Sequence, residues 1–109
     1  MRKSLLLVLS LFVSFNIFAQ DILPDRPSGM VNDYANMMSS SEVSRLEQKL
    51  RDYRDTTTNV IAIATIESLQ GNSIEEVANI TFSKWKMWEG ELYNGVLLLI
   101  SENDRAFRI

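Results

Sequence analysis

The chain has 109 residues, eleven basic and fourteen acidic, a formal charge of −3, and neither histidine nor cysteine. Zinc sites of the usual His or Cys type, Ser-His-Asp triads, cysteine nucleophiles and disulfides are therefore excluded. No run of Lys or Arg is present, which argues against nucleic acid or an anionic membrane surface as a partner.

The first segment reads as a leader. Arg2 and Lys3 precede a mostly apolar run from Ser4 to Phe18, and Ala19 ends it with a small residue before polar Gln20 and Asp21. At about 15 residues the run is short of the roughly 20 a membrane-spanning helix needs, and it carries Ser10, Ser14 and Asn16. Residues 1–19 are thus expected to be a signal peptide cleaved after Ala19, with no cysteine there to take a lipid. The mature chain would act outside the cytoplasm, in the periplasm or cell envelope or as a secreted protein. Loss of Arg2 and Lys3 leaves nine basic residues against fourteen acidic ones and takes the formal charge from −3 to −5. What remains, about 90 residues, builds one domain with a modest core.

Residues 20–38 read as an irregular N-terminal segment, because Pro24, Pro27 and Gly29 interrupt any pattern and Asn32-Asp33 is turn-prone. A domain over 39–109 follows. Ser39 with Glu42 makes a capping box, and Val43, Leu46, Leu50 and Tyr53 recur at helical spacing. Val60 to Ile66 is a nearly continuous β-branched run, as in a strand buried on both faces. After Gly71-Asn72, Ser73 and Glu76 form a second capping box, and Ile74, Val77, Ala78, Thr81, Phe82 and Trp85 line one side of a second helix. Asn94-Gly95 introduces a second buried run, Val96 to Ile100, and a turn at Glu102-Asn103-Asp104 leads to a strand from Arg105 to Ile109.

Strand, helix, strand in about 40 residues predicts a βαβ unit with parallel strands, and the tight turn adds an antiparallel third strand. The expected class is α/β: a mixed β-sheet with a βαβ unit flanked by helices, an α/β/α sandwich. The last strand ends on apolar Ile109 with no cap or polar tail. The expectation is a domain truncated at its C-terminus.

The succession Val31-Asn32-Asp33-Tyr34-Ala35, Ser68-Leu69-Gln70-Gly71, Trp85, Asn94-Gly95-Val96-Leu97-Leu98-Leu99-Ile100 and Asp104-Arg105 resembles the TPM domain family over residues 24–109. The resemblance implies an exported or lumenal domain with a helix-flanked sheet, continued by a glycine-containing loop and further helices. It also implies bacterial relatives in the cell envelope, some tethered by a later membrane segment. A plant relative in the thylakoid lumen acts in photosystem repair, with calcium binding and weak acid phosphatase activity ascribed to that branch. Two positions depart from the family pattern. Trp88 stands where glycine is common, and Tyr93 stands where an acidic residue often precedes Asn-Gly.

The short link between the first helix and the strand after it places Asp33 near that strand's carboxyl end, and Asp104 follows the parallel neighbour. This is the edge where open α/β sheets bind ligands. A hard cation, Ca²⁺ or Mg²⁺, held by Asp33 and Asp104 with help from Glu67, Asn32 or Glu102, is the metal site expected there. Against it stand the ordinary roles of Asp33 as a turn or cap acceptor and of Asp104 as a hairpin residue. Arg105 is expected to pair with an acid on the neighbouring strand. The leading expectation is a metal-binding envelope module in protein assembly or quality control. The alternatives are a weak metal-assisted phosphatase, whose nucleophile and acid the sequence does not supply, and a structural adaptor using Trp88 and Tyr93. Envelope or membrane proteins are the expected partners, and contact with the membrane would need a later segment.

Overall fold

The computed structural model describes residues 22–87 and 95–109. Residues 1–21, which include the expected leader, the Trp88–Tyr93 loop and Asn94 lie outside the described residues.

Three parallel strands and one antiparallel strand form a four-stranded sheet in the order β1-β2-β3-β4. They are β1 (Val31–Asp33), β2 (Val60–Ile66), β3 (Gly95–Ser101) and β4 (Ala106–Arg108). Helices α1 (Ser40–Thr57) and α2 (Ile74–Lys84) connect the parallel strands. β1 pairs with β2 over Val31↔Ile63 to Asp33↔Thr65, and β2 pairs with β3 along its whole length. β4 returns antiparallel, setting Phe107 opposite Ile100.

The period of two along each strand assigns its side chains to two cores. Ala62, Ala64, Ile66, Leu97 and Leu99 face α2 and pack with Val77, Ala78, Leu69 and Trp85. Val31, Ile61 and Ile63 face the other way and meet Val43, Leu46 and Leu50 of α1. One helix per face makes the expected α/β/α sandwich. Helix α1 packs on β1 and β2. Beyond it, Leu98, Ile100, Phe107 and Ile109 line an open apolar groove on β3 and β4, with Phe107 and Ile109 70% and 76% exposed.

Segment 20–38 is not irregular throughout, since Val31–Asp33 form a strand. Neither Asn nor Asp favours a strand, so tertiary contacts impose it. Ile63 N–H donates to the Met30 carbonyl, and the Glu47 carboxylate of α1 accepts the Met30 and Val31 N–H groups at 2.9 and 3.1 Å. Gly29 makes room, because a Cβ there would collide with Glu47 Oε1.

The α1 capping box is complete, with Ser39 Oγ accepting from Glu42 N–H and the Glu42 carboxylate accepting from Ser39 N–H. At α2, Ser73 Oγ accepts the Glu76 N–H. The latter helix stops at Lys84, so Trp85 is its C-cap and turns into the core.

Candidate functional site at the carboxyl edge of the sheet

Three segments meet at the carboxyl ends of the parallel strands: the β1–α1 loop, the β2–α2 loop and the β3–β4 turn. Each is tied down by hydrogen bonds, and Asp33 and Asp104 make the principal ties.

Asp33 ends β1. Its Oδ1 accepts from Thr65 Oγ1 at 2.6 Å and from Met37 N–H at 3.0 Å, while Oδ2 accepts from Met38 N–H at 2.8 Å. Thr65, 2% exposed, also accepts the Ala35 N–H at 3.1 Å. One carboxylate and one hydroxyl thus fix the path from β1 into α1. Burial acts to raise the Asp33 pKa, but the bonds from Thr65, Met37 and Met38 outweigh it and hold the carboxyl below its ordinary range.

Asp104 sits in the turn after β3. Its Oδ2 accepts from Ser101 Oγ at 2.6 Å and from Leu69 N–H at 2.7 Å, tying the turn to the β2–α2 loop. Glu102 N–H and Asn103 N–H donate to the Ile66 and Glu67 carbonyls, so the turn continues the β2–β3 pairing past the strand ends. The Ser101 hydroxyl and then the Leu69 N–H hold the Asp104 pKa below the usual carboxylate range.

Both expected ligands therefore lie at the carboxyl edge, but the sheet separates their partners. Thr65 follows Ile61 and Ile63 on the α1 side, while Ser101 follows Leu97 and Leu99 on the α2 side. Asp33 ends β1 and Asp104 follows β3, two strand spacings away, or about 10 Å. Oxygens sharing one Ca²⁺ at 2.3–2.6 Å can be no more than about 5 Å apart. The helpers do not close the gap. Asn32 is 1% exposed and spent inside the protein: its Oδ1 accepts from Ser28 N–H, Ser28 Oγ and Tyr34 OH, and its Nδ2 donates to the Gly29 and Ile63 carbonyls. Glu67 and Glu102 are exposed. Among the described residues no three acidic side chains gather where an ion could sit. As arranged, Asp33 and Asp104 do not fit a shared Ca²⁺ or Mg²⁺.

Arg105 makes no ion pair among the described residues. The expected partner on the neighbouring strand is missing, because β3 beside β4 is Leu99, Ile100 and Ser101. Instead Arg105 lines the apolar groove beside Phe107, its backbone at φ 49° closing the turn.

Residues not singled out from the sequence also take part, Thr65 and Ser101 at the carboxyl edge and Glu47 at the start of β1. Thr65 and Ser101 place hydroxyls near the carboxyl ends of otherwise apolar strands, which was the available signal. Glu47 joins Val43, Leu46 and Leu50 on the apolar stripe of α1, where a carboxylate is out of place unless the fold supplies donors. Met30, Val31 and Arg51 supply them.

A mixed four-stranded sheet with one helix on each face, its carboxyl-edge loops pinned by two Asp–hydroxyl pairs, defines a small α/β/α domain. The TPM domain model matches residues 31–109, and the chain belongs to that family. No match is found among curated proteins.

Proposed function

We propose that this TPM domain is an exported module of the cell envelope that works by binding other proteins during their assembly or quality control. The observation that carries the reading is the commitment of both edge carboxylates to main-chain N–H groups and hydroxyls. Such an edge is a shaped, rigid surface of three loops, with Tyr34, Met37 and Asn103 exposed on it. Export is supported by Arg2 and Lys3, the apolar run to Phe18 and Ala19. Ion-dependent chemistry, including a metal-assisted phosphatase, would require Asp33 and Asp104 to leave their present partners.

The test places a photo-crosslinking amino acid at Met37, at Asn103 and, on the exposed side of α1, at Gln48. Expressed in its own cells, the protein should fractionate with the envelope and begin at Gln20. Envelope-protein adducts should form from Met37 and Asn103 but not from Gln48. Adducts distributed equally over the three positions would contradict a binding edge.

A further inference from the structure

Strand β4 is the outer strand of the sheet: among the described residues β3 lies on one side of it and no strand on the other. Alternate residues of such an edge turn N–H and C=O groups outward with no partner in the sheet. On the α1 side, Phe107 and Ile109 run along the open groove with Leu98 and Ile100. Arg108 points to the opposite face, beside Asn79 and Phe82 of α2. It is exposed and, like Arg105, makes no ion pair among the described residues. The edge thus presents Phe107-Arg108-Ile109, an uncompensated cation between two exposed apolar side chains.

We propose that β4 binds an extended segment of another protein by strand addition, the segment carrying an acidic residue between two apolar ones. The inference rests on the protein-binding reading above and names the chemistry of the partner, the groove meeting the carboxyl edge at Met37, Ser101 and Glu102. A strand added to β4 alternates its side chains between the two faces of the sheet. Its two apolar residues, opposite Phe107 and Ile109, cover the α1-side groove. The residue between them stands opposite Arg108, where a carboxylate supplies the missing charge. Charge also decides against a second copy. The one antiparallel register that sets Phe107 and Ile109 of both copies against each other pairs Arg108 of one with Arg108 of the other, and like charges directly opposite destabilise a strand pair. Nor do these 109 residues hold the pattern, since none of the fourteen acidic residues has an apolar side chain on both sides of it in sequence.

The test titrates the purified protein with two blocked peptides of about nine residues that differ only at the centre, Val-Glu-Val against Val-Lys-Val, and follows the backbone amide resonances. The Val-Glu-Val peptide should bind about fivefold more tightly, shifting the amides from Ala106 to Ile109 and leaving those of α1 in place. Arg108→Gln, at an exposed position, should remove the preference and Arg108→Glu should reverse it, while Arg45→Glu on the exposed side of α1 should do neither. Strand addition uses main-chain groups with a period of two. N-methylation of the central Glu and N-methylation of the two Val residues should therefore differ, one abolishing binding and the other leaving it. Equal binding of the two peptides, a preference that Arg108→Glu does not reverse, or equal effects of the two methylation patterns overturns the proposal. Shifts at β4 that grow with protein concentration in the absence of peptide also overturn it, because a second copy is then the occupant. If neither peptide binds while the Met37 and Asn103 adducts form, strand addition fails and the protein-binding reading stands; if those adducts are missing as well, both fall.

Discussion

Thr65 is a single hydroxyl on which two loop contacts depend, donating to Asp33 and accepting from Ala35. Thr65→Val keeps the shape and leaves a buried N–H and a carboxylate oxygen without that partner. It should lower stability by about 1–3 kcal/mol in urea unfolding. Asp33, Glu47 and Asp104 all titrate below the ordinary range. A folded-state pKa below the unfolded one means that the unfolded chain binds protons first as pH falls. The stability from these groups is therefore complete above the unfolded values, about 3.9 for Asp and 4.3 for Glu, and is lost as pH drops through the lower folded ones. Stability should be nearly flat above pH ~5 and fall below pH ~4, with Asp33→Asn showing a shallower fall than wild type. Asp33 and Asp104 were legible in the sequence as edge residues because the short link from α1 to β2 places the first and the parallel βαβ unit places the second. Their hydroxyl partners were not, because Thr65 meets Asp33 only through the β1–β2 register.

The long elements were legible because propensity, periodicity and caps agree. α1 starts at its capping box and β2 covers the β-branched run. β1 was not, because three residues with two turn-formers carry no strand signal of their own. Its start is held by Glu47, and Gly29 is what lets Glu47 approach. Gly29→Ala should push the carboxylate from the Met30 and Val31 N–H groups, destabilise the domain by about 1–3 kcal/mol and raise amide exchange at Met30 and Val31 selectively. At the other end of α1, Thr58 is the C-cap in the left-handed region at φ 63°, a conformation that costs a β-branched residue energy. Thr58→Gly should therefore stabilise the domain by about 1 kcal/mol in thermal unfolding, while retaining the N–H bond to the Arg54 carbonyl.

Across the whole molecule the α2 side of the sheet is closed by a helix and a strap of residues 22–25, whereas on the α1 side the helix reaches only β1 and β2. The layer order was readable from the continuously apolar runs of β2 and β3, which call for cover on both faces, and from the helices that precede and join them. The strap was not, since Pro24 and Pro27 read only as breaks until Trp85 is seen to turn inward. The same logic governs the carboxyl edge, where Asp33 and Asp104 lie on one edge but fasten loops on opposite faces. That they hold the fold rather than an ion is most directly tested by thermal unfolding of the chain from Gln20 on in EDTA, Ca²⁺ and Mg²⁺, for wild type, Asp33→Asn and Asp104→Asn. The account predicts one melting temperature for wild type in all three solutions and a lower one for each variant in all three. A rise with Ca²⁺ or Mg²⁺ that both substitutions abolish would contradict it.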